Sequence, residues 1–411
     1  MHDMTRDTPG AMPDRDGSLP AFPPPRRGIA PFDTARLDAL MEEAGLDALV
    51  ATSRHSVQYL LGGYYFFFFQ GRDAIGLSRY LPAVVYCRAR PELTTYIGNR
   101  LERYELEQGR IWAPEIETVS WGTVDAMERA RAHLARMPGP PKRIGVEPAH
   151  LPADAAGVLD AAFGALVDAR LVLERLRAVK TPLEIAMLRA ASDRVVDSML
   201  AAFGTCAPGM TKAQLAERLR LEEVRRGLAF EYCLVTAGSS LNRAPSPERI
   251  AEGDILSLDS GGNYHGYIGD LCRMAILGEP DQELQDLLGA VQEIQAQARA
   301  VVRAGVLGGA VQEAGLAGVA ASPHRAHLEF LAHGMGLVQH EAPWLTGRGP
   351  VPYPGHNENA PLEAGMVLSV ETTLQHPRRG FVKLEDTVVV TPEGSEGLGD
   401  AGRGWTRAGR D

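Results

Sequence analysis

Residues 253–273 read GDILSLDSGGNYHGYIGDLCR. An apolar run with strand character ends on Asp259, and Asp270 follows eleven positions later. Between them Gly261, Gly262 and Gly266 form a glycine-rich turn able to fold a second strand back beside the first, so that the two carboxylates face one another. Left unpaired at that range they would repel, and burial would favour their protonated forms. A divalent cation between them removes both problems. Taken alone the pattern competes with ordinary turn chemistry, in which Asp serves a hairpin bend.

Three further segments carry acidic residues and histidines within apolar surroundings. In HLEFLAHGMGLVQHEAPW, His333 and His340 lie seven apart, flanked by Gly334 and Gly336, which permit close backbone approach. Neutral imidazole suits a borderline transition metal. In GMVLSVE and VKLEDTVVV, Glu371 and Glu385 sit inside β-rich runs, where an unpaired carboxylate is costly to bury. An arginine could compensate each of them, whereas one shared cation cluster would account for all the carboxylates together.

In chain order Asp259, Asp270, His333, Glu371 and Glu385 match the Asp-Asp-His-Glu-Glu ligand set of the pita-bread metallopeptidases. The surrounding motifs agree: GYIGDLCR from Gly266 to Arg273, HGMGLVQHEAP from His333 to Pro343, GMVLSVE, and EDTVVVT from Glu385. HSVQYLLGG resembles the first-domain signature of the creatinase and prolidase group, and RAVKTPLEIAMLRAA resembles its interdomain junction. The chain thus resembles the creatinase, Xaa-Pro peptidase and methionine aminopeptidase family from about residue 32 onward. The resemblance implies an α+β protein: a C-terminal pita-bread (creatinase/aminopeptidase) fold preceded by a smaller α/β creatinase-like N-terminal domain. It also implies two divalent metal ions, and the mostly oxygen donor set favours Mn, Co, Zn or Fe. Asp270 and Glu385 would bridge the ions, Asp259 would bind one, and His333 with Glu371 the other. By the same resemblance His340 is the catalytic oxyanion donor, and Glu371 handles the proton passing from water to the leaving nitrogen.

Two residues depart from the family pattern and are assigned to substrate binding. Asn242 stands where a proximal histidine is usual, and Lys383, two positions before Glu385, replaces an arginine and so loses the bidentate fork. Thr372-Thr373 follow Glu371 in place of Pro-Gly. The segment TGRGPVPYPGHNENAP is loop-like and is expected to border the pocket. Three function classes follow: an Xaa-Pro metallopeptidase acting on a small peptide or small amide, a metal-dependent non-peptidase relative such as a dimethylsulfoniopropionate lyase, and a metal-free creatinase-like or ectoine-hydrolase-like C–N hydrolase or a binding protein that has lost catalysis. The complete ligand set counts against the third.

Outside these motifs the chain reads as two domains, which 411 residues and 45% apolar content can furnish with real cores. We expect a flexible Pro-rich arm at 1–30, an N-terminal domain at 31–178, a catalytic domain at 179–400 and a tail at 401–411. In the first domain a helix from about Phe32 to Gly45 leads into the strand-like LDALVATS, with later strands in YLPAVVYC and ELTTYIG. The second opens on a helix capped by Thr181, Pro182 and Glu184, and a further capping box pairs Thr211 with Gln214. The aromatic run Tyr64 to Phe69 reads as a core strand or dimer contact, or as a wall reaching a neighbouring subunit's site.

A net charge of −10 without a Lys/Arg stripe argues against nucleic acid. Cys87, Cys206, Cys233 and Cys272 lack CxxC spacing and suit reduced thiols rather than metal ligands. With neither a signal-type start nor a stretch of ~18 apolar residues, the expectation is a cytoplasmic homodimer without membrane contact.

Overall fold

The computed structural model describes residues 20–26, 28–164, 166–349 and 351–409. Most of the expected Pro-rich arm, residues 1–19 together with residue 27, lies outside the described residues. The chain divides into two compact units, one of Phe22–Arg177 and one of Ala178–Asp411 together with the described residues before Phe22.

In the first unit the strands are β1 (Ala48–Ala51), β2 (Asp73–Ile75), β3 (Ser78–Arg79), β4 (Ala83–Cys87), β5 (Thr95–Asn99), β6 (Glu115–Ser120), β7 (Ile144–Val146) and β8 (Leu166–Asp168). The helices are α1 (Thr34–Glu43), α2 (Arg54–Leu60), α3 (Arg103–Glu107), α4 (Thr123–Ala135), α5 (Ala153–Phe163) and α6 (Arg170–Arg177). The described residues form a six-stranded mixed sheet in the order β6-β5-β4-β1-β7-β8, with β2 and β3 paired separately. All four residues of β1 are buried because the sheet is covered on both faces. Leu49 and Ala51 enter the core formed with α1, α2 and α6, while Ala48 and Val50 enter the core formed with α4 and α5. The aromatic run is not a strand: Phe67–Gln70 make a 3₁₀ turn in which the Phe66, Phe67 and Phe68 rings pack on one another, with centroids 4.2–5.2 Å apart. Phe69 is buried and Phe67 is 53% exposed, while Phe68 stacks on Tyr80 with 4.1 Å between centroids.

The second unit contains α7 (Pro182–Gly204), α8 (Lys212–Arg225), β9 (Ala229–Ala237), β10 (Ile255–Tyr264), β11 (Tyr267–Ile276), α9 (Gln282–Val301), α10 (Gly308–Ala321), β12 (Leu328–Gly334), β13 (Val367–His376), β14 (Gly380–Val390), β15 (Ser395–Leu398) and β16 (Thr406–Arg407). Both expected capping boxes form: Thr181 with Glu184 starts α7, and Thr211 with Gln214 starts α8. The described residues build one eight-stranded sheet whose main path is β12-β13-β14-β11-β10-β9. Helices α7 and α8 pack on β9–β11, and α9 and α10 on β12–β14. The segment expected as a tail adds β16 to β11 and inserts Trp405, whose Nε1 donates to Leu284 O at 3.1 Å.

The β10–β11 hairpin forms, but Gly261 and Gly262 are not in its turn. The bend is made by His265 and Gly266, both at positive φ, the geometry of a tight two-residue hairpin. Gly261 and Gly262 lie inside β10, beside a bulge in its pairing with β9. A Cβ at Gly261 would come within 2.4 Å of the Tyr232 ring, and one at Gly262 within 2.5 Å of Val195. These glycines serve close packing rather than chain reversal. No helix of the described residues is long and apolar enough to cross a membrane.

Candidate metal centre

Strand register brings the acidic residues together. Asp259 pairs with Cys272, Cys272 with Glu385, and Glu385 with Glu371, a row crossing β10, β11, β14 and β13. Residues directly opposite one another share a face of the sheet. Asp270 stands two residues from Cys272, and His333 two from Leu331, the partner of Glu371. The two-residue period of a strand returns both to that same face. Three groups result in which one donor atom per residue lies within 4.8 Å of the others: Asp259, Asp270 and Glu385; His333, Glu371 and Glu385; and Asp270, His333 and His340.

The chemistry of this cluster calls for a cation. His333 is fully buried, and its Nδ1 donates to Gly334 O at 3.1 Å, so its Nε2 is left as a lone-pair acceptor. That Nε2 has no hydrogen-bond partner among the described residues and faces Glu371 Oε1 at 3.7 Å and Glu385 Oε1 at 3.9 Å. A lone pair and two carboxylate oxygens converging here, with only the Ser369 hydroxyl on Glu385 Oε1 as a donor, fit a divalent ion. Burial holds His333 below the usual imidazole range, which preserves that lone pair. Burial, reinforced by Glu385 and Asp259, pushes Asp270 well above the carboxylate range, so its ionised form needs an added positive charge.

Lys383 lies within the cluster. Its Nζ is 2.7 Å from each of Asp259 Oδ2, Glu371 Oε2 and Glu385 Oε2. Burial opposes its charge, but the three carboxylates outweigh burial and hold the ammonium protonated. Arg243 also pairs with Asp259 Oδ2, and its guanidinium lies 5.0 Å from the centre of the Phe381 ring. On the other side Tyr232 donates to Asp270.

A cavity of about 470 Å³ opens onto these groups, lined among others by Tyr232, Arg243, His340, Glu371, Lys383 and Glu385. Asn242, expected to bind substrate, does not line it, whereas its neighbours Leu241 and Arg243 do. The reason is extended-chain alternation: Val235 N donates to Arg243 O at 2.8 Å, which lays this segment along β9 and turns alternate side chains opposite ways. Asn242 is exposed, and its Oδ1 accepts from Ala244 N at 3.1 Å as a turn residue does.

His340 stacks on His333, with 3.9 Å between ring centroids and 11° between planes. Burial, then the neighbouring His333, lowers its pKa to about 4. Its Nδ1 meets the Tyr353 hydroxyl. Burial raises the Tyr353 phenol, so the hydroxyl keeps its proton; it donates to Nδ1 in the tautomer in which His340 carries its hydrogen on Nε2. Tyr353 lies in the loop-like segment expected to border the pocket. Tyr232 and Arg243 carried no comparable signal, since neither belongs to a recognisable motif.

Other motif residues brace the cluster. Arg273 is fully buried and donates to Cys272 O, Glu385 O, Gly399 O and Ala401 O at 2.6–2.9 Å while pairing with Asp386 at 2.9 Å. Glu341 pairs with Lys180 at 3.1 Å, both buried. Ser369 Oγ donates to Glu385 Oε1 at 2.8 Å and orients that carboxylate.

Residues 34–179 match the Creatinase/Prolidase N-terminal domain and residues 186–392 match Metallopeptidase family M24. The chain is 30% identical over 378 residues to a protein called probable dipeptidase PepE from Mycobacterium tuberculosis, covering 87% of this chain and 91% of that one. It is 27% identical to an uncharacterized peptidase, YqhT, of Bacillus subtilis, over 88% of this chain and 95% of that one. The crystal structure of dipeptidase PepE from Mycobacterium ulcerans superposes with a TM-score of 0.72 at 26% identity, covering 91% and 96% of the two chains. With a family match across its cluster-bearing half and a relative aligned over most of its length, the chain belongs to metallopeptidase family M24.

Proposed function

We propose that this chain is a dinuclear-metal Xaa-Pro peptidase, an aminopeptidase or dipeptidase acting on a small peptide. The observation that carries the reading is the convergence of His333 Nε2 with carboxylate oxygens of Glu371 and Glu385, beside Asp259 and Asp270, in a water-accessible cavity. The names borne by similar proteins, dipeptidase and Xaa-Pro dipeptidase, agree with it. Asp259, Asp270, His333, Glu371 and Glu385 would hold the ions, of Mn, Co, Zn or Fe. When bound, these supply Lewis acidity and a water made nucleophilic near neutral pH.

The chain's own residues divide the remaining work. Glu371, partly exposed to the cavity, accepts the proton released by the attacking water and passes it to the leaving nitrogen. His340 stays neutral and offers its Nε2 hydrogen to the oxygen that gains negative charge. Tyr353 holds His340 in that tautomer. Arg243 and Lys383 present positive charge at the cavity wall, suited to a substrate carboxylate. Four free thiols fit a cytoplasmic setting, and the exposed rings Tyr65 and Phe67 fit a homodimer contact.

The test is proline release from Xaa-Pro dipeptides and tripeptides before and after chelation. Chelation is expected to abolish release, and Mn, Co, Zn or Fe to restore it. Undiminished turnover after rigorous chelation would transfer the protein to the metal-free class, and volatile sulfide from a sulfoniopropionate would transfer it to the lyases.

A further inference from the structure

Past the cluster the cavity floor continues along the same face of the sheet. The two-residue period of a strand carries that face from His333 to Glu329 on β12, and from Glu371 through Thr373 to Gln375 on β13. Glu329, Thr373 and Gln375 all line the cavity. Glu329 pairs with Thr373 and Leu331 with Glu371, so Glu329 and Glu371 are diagonal neighbours on adjacent strands, roughly 7–8 Å apart. Among the described residues the side chains of Glu329, Thr373 and Gln375 make no hydrogen bond or ion pair, and Glu329 is exposed. The cavity's cations are placed otherwise: Arg243 and Lys383 both engage Asp259, and Arg243 lies along β9, at the opposite end of the sheet path from β12. A guanidinium and an unpaired carboxylate thus flank the cluster.

We propose that Glu329 determines specificity by selecting peptides whose residue before the scissile bond carries a basic side chain, lysine or arginine. The inference rests on the peptidase reading above, and the polarity of the cavity sets the direction. In a dipeptide the free carboxylate belongs to the residue after the scissile bond, and Arg243 draws it toward β9. The residue before the bond then lies toward β12. Its α-ammonium is attached next to the scissile carbonyl and stays beside the cluster, whereas the four-carbon stem of lysine spans the gap to Glu329. A neutral side chain would leave that carboxylate to water, and an acidic one would meet it with like charge. Thr373 and Gln375 alongside are neutral, so Glu329 sets the sign of charge at this end of the cavity.

The test compares kcat/KM of the full-length, Mn²⁺-loaded protein at low ionic strength on Lys-Pro, norleucyl-Pro and Glu-Pro; norleucine keeps the stem and lacks the ammonium. The wild type is expected to favour Lys-Pro over norleucyl-Pro by about fivefold or more, a margin that shrinks as salt is added. In Glu329→Gln that ratio should fall to near parity. In Glu329→Lys the order should invert, with Glu-Pro ahead of Lys-Pro. The side chain is exposed, so both variants are expected to fold, and the wild-type comparison requires neither. Equal turnover of Lys-Pro and norleucyl-Pro by the wild type would overturn the proposal, as would a preference for Lys-Pro that survives in Glu329→Gln. Turnover of none of the three would bring down the peptidase reading and the inference with it, an outcome distinct from the other two.

Discussion

Glu223 is a buried acid that the chemistry does not use, and it should weaken the fold as pH rises. It lies on α8, fully buried; its Oε1 accepts from Ser260 Oγ at 2.9 Å, and its Oε2 has no hydrogen-bond partner among the described residues. Burial pushes its pKa up to about 8. In the unfolded chain the same carboxyl titrates near ~4.3. Because the folded value is the higher one, the native state holds a proton that the unfolded state has released. Stability is therefore full below the unfolded pKa, declines as pH rises, and levels off above the folded pKa. At pH 7 the cost is about 3–4 kcal/mol, from roughly 1.36 kcal/mol for each pH unit above ~4.3.

Glu223→Gln keeps the shape and the acceptor for Ser260 but cannot ionise in either state. It should match the wild type near pH 5 and exceed it by about 2–4 kcal/mol at pH 7–8. The assay is native-state hydrogen exchange on metal-stripped protein, read in peptides covering α8 and β10, which reports on this unit separately from the other. Taking the variant-minus-wild-type difference at each pH cancels the titration of the carboxylate cluster. A difference that stays flat between pH 5 and 8, or a variant less stable than wild type at pH 8, would refute the reasoning.

Tyr353→Phe removes the donor that sets the His340 tautomer; kcat/KM on Xaa-Pro dipeptides should fall about ten- to a hundredfold, with bound metal unchanged by elemental analysis. Lys180→Met removes one buried partner of Glu341 and should cost about 1–3 kcal/mol by urea denaturation, with Lys180→Met/Glu341→Gln recovering part of the loss. Asn242→His should leave kcat/KM on the same substrates within about twofold, since that side chain is exposed outside the cavity and general acid–base groups act only within reach of the reacting atoms. A gain of about a hundredfold would place it in the chemistry after all.

Local signals carried far along this sequence. The caps of α7 and α8 could be read from Thr181, Glu184, Thr211 and Gln214 alone, because a capping box closes within four residues. The five cluster residues could be read because an acidic residue inside a buried strand is expensive enough to need a reason, and five such residues in a family's order share one reason. What could not be read depends on pairing between distant strands. Gly261 and Gly262 look like turn residues until the partners of β10 are known, and then prove to be where Tyr232 and Val195 come close. Asn242 aligns by position with a family histidine, but the bond from Val235 N to Arg243 O sets the parity that turns Asn242 outward and Arg243 inward. One residue of parity exchanges a neutral amide for a guanidinium at the cavity wall.

Lys383 shows the same limit from the other side. In sequence it is a lysine in place of an arginine, which keeps the charge and loses the fork. Its consequence depends on reach: a single ammonium can be centred among three carboxylates at 2.7 Å, whereas a planar guanidinium presents its donors along a rigid fork and would engage them in pairs. The ammonium so placed lies against Asp259 and Glu385, two members of one compact donor group, while His333 Nε2 has no hydrogen-bond partner among the described residues. The charge within the cluster is thus set by which oxygens Lys383 reaches as much as by the four carboxylates themselves.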